Sequence, residues 1–297
     1  MLLNLLFILC TLFSSPLLAF ASKPEAYALL NWKTNLMNQN NPLLSSWSLD
    51  PTRVNRSMST APCTWYGVHC NDHGDVVKLN LSDSRLNGTL KSFNFSSFAS
   101  LTRLQLRLND ISGSIPLEIH HLSKLVFLDL SGNRFSGTIP QEIGMLTNLE
   151  TLSLHSNILE GHIPVSLRNL STLSYLRVDD NNLSGSIPQE LGNLDSLVTV
   201  NMSFNFLTGH IPSGLGNLTK LSELYLYLNN LTGSIPPSFG NLSSLKILYL
   251  YMNKLSGRIP NELGNMKYLS QLLLGHNQLT GSVPSSLGNL SRLKMLG

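Results

Sequence analysis

The 297 residues carry 20 Lys and Arg against 17 Asp and Glu, a net charge of +3, and only 12% are charged. That balance is too mild, and the basic residues too scattered, to argue for a nucleic-acid or anionic-membrane partner. The length would allow one or two globular domains, but a fixed internal period replaces that estimate once the chain is followed from its start.

Residues 1–21 stand apart. The stretch 2–18 is almost wholly apolar, and Ala19-Phe20-Ala21 fits the small-x-small rule of signal-peptidase cleavage, with Lys23-Pro24-Glu25 polar beyond it. The departure is the first four residues, which hold no Lys or Arg. An uncleaved membrane anchor is the rival reading, but it wants about 20 apolar residues. A removed signal is therefore expected, which sends the rest into the secretory pathway and takes Cys10 with it. Only Cys63 and Cys70 remain. Two cysteines so close in a secreted chain are most simply a local disulfide. A zinc site is the weaker alternative, because no His stands at a spacing that completes four ligands.

Residues 22–75 do not share the period. Leu29, Leu30, Trp32 and Leu36 have helical spacing and predict a helix over 25–37. A second short helical stretch is predicted around Leu43, Leu44 and Trp47, and the proline-containing segment 50–62 reads as loop. The block as a whole is expected to cover the apolar flank of the periodic region that begins after it.

From Val76 a 24-residue unit takes over, irregular in its first copy, where Ser84, Phe93, Phe95 and Phe98 break the frame. Eight regular copies start at Leu101, Leu125, Leu149, Leu173, Leu197, Leu221, Leu245 and Leu269, and a tenth opens at Leu293. Asn109, Asn133, Asn157, Asn181, Asn205, Asn229, Asn253 and Asn277 occupy one position of it without a slip. Leu128-x-Leu130 alternates like a short strand with one buried face. The asparagine is expected to turn inward and satisfy backbone groups of its own and the next turn. The glycines from Gly113 to Gly281 are expected to allow close backbone approach, and Pro116 to Pro284 to fix the turn onto the outer face. The reading is an α/β solenoid of leucine-rich repeats, with a parallel sheet on the concave face and a helical, disulfide-bonded N-terminal cap.

The frame L-x-x-L-x-L-x-x-N-x-L-x-G-x-I-P-x-x-L-G-x-L resembles the plant-specific class of leucine-rich repeat. Its G-x-I-P core is present in all eight regular copies, with Val283 for Ile in the last. The segments Glu25 to Lys33, Leu44-Ser45-Ser46-Trp47 and Pro62 to Cys70 resemble that class's N-terminal cap. Such proteins are mostly ectodomains of receptor-like kinases or receptor-like proteins, and the cap and Phe93 to Phe98 look most like peptide-sensing receptor kinases of the MIK type. The resemblance implies a peptide or protein ligand, a co-receptor kinase with leucine-rich repeats, and a position on the extracellular face of the plasma membrane. A transmembrane helix and a Ser/Thr kinase would come next in the family. This chain has neither and is expected to be an N-terminal fragment, a truncated product or an incomplete gene. The alternative is a soluble apoplastic protein similar to the polygalacturonase inhibitors, although those carry two cysteine pairs in the cap. A short co-receptor is disfavoured by the copy number.

No catalytic machinery emerges. Ser243-x-x-Lys246 and Ser291-x-x-Lys294 have the spacing of some acyl enzymes, but both fall at one point of the repeat, which explains them. His120 and His121 have no carboxylate in register, and no cofactor or metal is expected. Sequons stand at Asn55, Asn80, Asn87, Asn94, Asn169, Asn182, Asn201, Asn217, Asn230, Asn241 and Asn289, so glycosylation is expected. The residues between and just after the paired leucines should face solvent. They group Tyr225, Tyr227, Tyr249 and Tyr251, with Phe204 near and Arg177 and Asp179 two copies earlier. That strip is the candidate ligand site. A purely structural aromatic ladder is the other reading.

Overall fold

Each repeat spends three residues on a strand whose middle side chain points inward. In the computed structural model, which describes residues 24–49 and 62–297, Leu104, Leu128, Leu152, Leu176, Val200, Leu224, Leu248 and Leu272 pair in register from copy to copy. All are buried, as is the apolar residue two positions on. The expected signal segment and Asn55 lie outside the described residues. Eleven strands form the main sheet, from Val68–Cys70 to Met295–Leu296. Only the first pair is antiparallel, where the cap joins Val76–Asn80. On the opposite side runs a stack of 3-10 helices such as Ser213–Asn217, and from Leu117–His121 onward each is entered from a proline with φ near −65°.

The cap helix spans Pro24–Thr34 and stops three residues before the predicted end. Local side chains end it: Thr34 and Asn35 both donate to the Asn31 carbonyl, at 2.9 and 2.7 Å. The Met37 N–H then crosses to the Asn87 carbonyl at 2.7 Å, which pulls the chain onto the first repeat. Trp32 donates to the Thr89 carbonyl at 2.8 Å, and Phe93 meets its ring edge-on at 5.1 Å. The phenylalanines that break the first repeat are thus the cap's seat. Lys33 donates to the carbonyls of Leu44 and Trp47, at 2.8 and 3.0 Å, and burial lowers its pKa. Cys63 and Cys70 are joined.

The asparagines bond within their own turn as expected, but beyond it they reach into the preceding turn and not the next. Asn181 Nδ2 donates to the carbonyls of Val178 and Asp179 in its own turn and of Leu154 in the preceding one, while Oδ1 accepts the Leu159 N–H of that preceding turn. This explains Ser84. Behind the first repeat stands the cap, not another strand–turn unit, so no residue has to reach back. The cap supplies its own groups, with Asn38 Oδ1 accepting the Asn87 N–H and Asn41 Nδ2 donating to the Ser84 carbonyl.

The glycine expectation also needs correcting. At Gly113, Gly137, Gly209 and Gly257 an added Cβ would first meet neighbours at 3.5–3.8 Å, an ordinary contact, and at Gly161, Gly185, Gly233 and Gly281 it would meet side-chain atoms, not backbone, at 2.3–3.1 Å; what all eight share is φ between +70° and +82°. These glycines serve conformation. Close approach belongs to a different column in the 3-10 helices, typified by Gly216, whose Cβ would stand 2.5 Å from the Ser238 carbonyl oxygen.

A further feature is a second set of parallel strands, Asn87–Thr89 to Phe206–Thr208 in one sheet and Thr232–Gly233 to Gln278–Leu279 in another. It lies just after the asparagine in each repeat and flanks the main sheet.

Candidate functional site

On the solvent side of the main sheet three residues per strand project together. Alternation carries Glu223, Tyr225 and Tyr227 to one face of one rung, and Ile247, Tyr249 and Tyr251 to the next, because Leu224, Leu226, Leu248 and Leu250 point inward. The four tyrosines are half-buried and touch one another. Tyr227 stacks on Tyr251 with centroids 4.5 Å apart and planes 12° from parallel, and Tyr249 meets Tyr225 edge-on at 5.3 Å. Phe204, exposed and held at φ +52°, sets its ring edge-on to Tyr227 at 5.3 Å. The result is one continuous aromatic floor over three rungs.

Two of the four hydroxyls are already tethered. Tyr225 donates to Glu223 Oε2 at 3.3 Å, and Tyr249 donates to Gln271 Oε1. Glu223 also accepts from Thr199 at 3.4 Å. Glu223 and Gln271 belong to a third outward column, just before the first leucine, which extending the sequence alternation by one step would have revealed. In that column Arg103 lies 4.5 Å over the Phe127 ring.

The charged end of the strip differs from expectation. Asp179 is only 8% exposed, and Arg177 chelates it through Nε to Oδ1 at 3.2 Å and Nη2 to Oδ2 at 2.9 Å. The two form a nearly neutral plate and not a free charge pair. His155 beside them has its pKa lowered, mainly by burial and then by Arg177, against the opposing pull of Asp179 and Asp129. Register links this plate to the tyrosines through Asn201, which pairs with both Arg177 and Tyr225. Asn201 Oδ1 accepts from the backbone N–H and the hydroxyl of Ser203, at 3.1 and 2.6 Å, and that serine is buried. In contrast, Asn169, Asn217, Asn241 and Asn289 sit exposed at the ends of 3-10 helices on the far side.

Burial, the Glu223 charge and the Glu223 hydrogen bond together push the Tyr225 phenol up to about 12. A phenol raised in the folded state contributes stability that is complete below pH 10 and is lost between there and about 12, where the unfolded chain has already ionised. Spectrophotometric titration should therefore leave Tyr225 protonated at about pH 11, beyond the ordinary phenol value. Glu223→Gln should bring its ionisation down. An unchanged titration curve in that variant would remove the assigned cause.

Among the described residues no group of His, Cys, Asp and Glu could hold a metal ion, and no helix is long and apolar enough to cross a membrane. His120 and His121 pack ring to ring at 4.2 Å, with His120 Nδ1 against the Leu117 carbonyl. The site offers a packed aromatic surface with polar rims, an arrangement suited to recognition.

Family models of one type match the chain: the leucine rich repeat N-terminal domain over 22–71, a leucine-rich repeat region over 84–232 and a leucine rich repeat over 219–279. MDIS1-interacting receptor like kinase 2 of Arabidopsis thaliana is 43% identical over 149 residues, which is 50% of this chain but 11% of the kinase. The crystal structure of the leucine-rich repeat ectodomain of the Arabidopsis thaliana receptor kinase GASSHO1/SCHENGEN3, in complex with CASPARIAN STRIP INTEGRITY FACTOR 2, superposes with a TM-score of 0.85. It is 34% identical, over 91% of this chain and 32% of that one. The Arabidopsis receptor kinase HAESA, in complex with the peptide hormone IDA and the co-receptor SERK1, gives a TM-score of 0.68 and 32% identity, over 92% of this chain and 52% of that one. The chain thus spans about a tenth of the kinase relative and a third to a half of the ectodomains.

Proposed function

The chain belongs to the leucine-rich repeat family, and from that premise we propose that it is the N-terminal part of the extracellular recognition region of a plant receptor kinase. It binds a peptide along the concave face, and a co-receptor with leucine-rich repeats joins the complex. Residues 1–21 are the secretory signal, 22–75 the cap and 76–297 the repeat array. The carrying observation is the continuous floor of Tyr225, Tyr227, Tyr249, Tyr251 and Phe204. The Tyr225 and Tyr249 hydroxyls are tethered by Glu223 and Gln271, and Tyr227 and Tyr251 stack on each other, so part of the side-chain freedom that binding would remove is already lost. The likeness to ectodomains crystallised with peptides supports the same reading.

The test is selection from a random dodecapeptide library displayed on phage, against the secreted chain. Tyr227→Ala with Tyr251→Ala should weaken the recovered peptides about 30-fold, the scale of a hot-spot pair, with the circular dichroism unchanged. Peptides that bind this variant as well as the parent would place recognition elsewhere. Secretory routing has its own check. The exposed sequons Asn169, Asn217, Asn241 and Asn289 should yield a mass loss on glycosidase treatment of protein made in plant cells, and protein of unchanged mass would contradict it.

A further inference from the structure

Just before the strands of the last three rungs of the main sheet, Lys246, Ser270 and Lys294 fall one below another. The Ser270 N–H donates to the Lys246 carbonyl and the Lys294 N–H to the Ser270 carbonyl, both at 2.8 Å. The middle side chain is short, and its hydroxyl is turned back to the Lys246 carbonyl at 2.9 Å. Nothing long therefore stands between the two lysines. Arg292 forms one wall of the same groove, its guanidinium fixed 4.5 Å over the Tyr268 ring. Three cations line the groove, and among the described residues no carboxylate does.

The repeat fixes where these residues fall but not that two of them are lysine. The same position holds Val126, Glu150, Ser174, Val198 and Ser222 in earlier copies, so the basic pair is particular to this place. The S-x-x-K spacing at Ser291 and Lys294 has its physical sense here, as groove lining. Lys246 immediately precedes the strand Ile247–Tyr249, so the groove lies at the start of the rung that carries Tyr249.

We propose that this groove is a second subsite of the peptide reading, and that Lys246, Lys294 and Arg292 hold two acidic side chains of the peptide that lies on the tyrosines. The inference rests on the concave-face reading. Rungs about 4.8 Å apart put the two lysine backbones roughly 10 Å from each other. Acidic residues at i and i+3 of a polyproline-II segment lie on one side of it, about 9 Å apart. A peptide passing over the edge in that form meets both lysines at once, and Arg292 offers a planar, bidentate partner for either carboxylate.

The same dodecapeptide selection tests it. Recovered peptides should carry paired Asp or Glu, and Lys246→Gln with Lys294→Gln should weaken them about tenfold at low salt, with the difference shrinking as salt rises. Lys124→Gln, distant on the array, should change nothing. Peptides that need Tyr227 and Tyr251 yet ignore the two lysines would overturn this subsite and leave the strip intact. Peptides indifferent to both pairs would overturn both. Oligogalacturonate binding that is lost in the lysine variant, with no acidic enrichment among the peptides, would assign the groove to a polysaccharide and sink the proposal.

Discussion

Gly216→Ala is expected to destabilise the array by about 1–3 kcal/mol, the usual cost of overpacking, while Gly214→Ala in the same 3-10 helix is neutral or slightly stabilising. The contrast decides between two opposed effects. Adding a methyl group to a glycine of ordinary φ restricts the unfolded chain and commonly stabilises by about 0.4–1 kcal/mol. At Gly214 that effect stands alone, since the new Cβ would meet the Gln189 carbonyl oxygen at 3.4 Å and Gly192 Cα at 3.7 Å. At Gly216 it would lie 2.5 Å from the Ser238 carbonyl oxygen and 2.6 Å from its carbon. These are backbone atoms, so the neighbouring repeat itself must move. It is held there by the Ser238 hydroxyl, which donates to the Ser213 carbonyl at 2.7 Å. In a domain of this size 1 kcal/mol moves Tm by about 2–4 °C, so the pair is resolvable by scanning calorimetry. Equal melting of the two variants would show that the repeats slide apart freely at this seam.

The sequence revealed the period, the buried leucines and the outward columns, because each rests on alternation or on spacing. What it hid was direction and partnership. A repeating letter looks the same whether its side chain reaches forward or back, and only the serine at position 84, where the cap and not another repeat lies behind, carried the clue. Two glycine columns share one letter and one spacing, yet one serves φ and the other serves distance. The second sheet was missed because its strands, such as Asn182–Ser186, contain glycine and small polar residues that are depleted in strands. The Arg177–Asp179 pair could have been read, since residues two apart on a strand share a face. At the tyrosines the grouping was legible from alternation alone. Only the folded chain places the phenols on Glu223 and Gln271.

Replacing the inward asparagine tests the ladder from which the array is built. From Leu106 to Leu250 the carbonyl of the second apolar residue of each strand receives two asparagines: Leu154 accepts from Asn157 and from Asn181, both at 3.0 Å. Asn181→Ala therefore leaves that carbonyl with one partner. The Leu159 N–H, by contrast, is bonded at 3.0 Å to Asn181 Oδ1 inside the core and loses its acceptor. An unsatisfied buried donor together with the vacated volume amounts to about 2–4 kcal/mol. Asn181→Asp keeps the shape and the acceptor but turns a charged oxygen on the carbonyls of Leu154, Val178 and Asp179, where the amide had donated. It should be worse than alanine at neutral pH. Facing those oxygens, the carboxyl would have its pKa raised in the folded state, so its stability is greatest below the unfolded carboxyl value and falls as pH rises. Urea unfolding from pH 4 to 8 should then show the Asp variant recovering at the acid end while the Ala variant stays flat relative to the parent. Two variants that lose the same stability at every pH would mean that the amide's donation into the preceding turn is not what locks one repeat to the next.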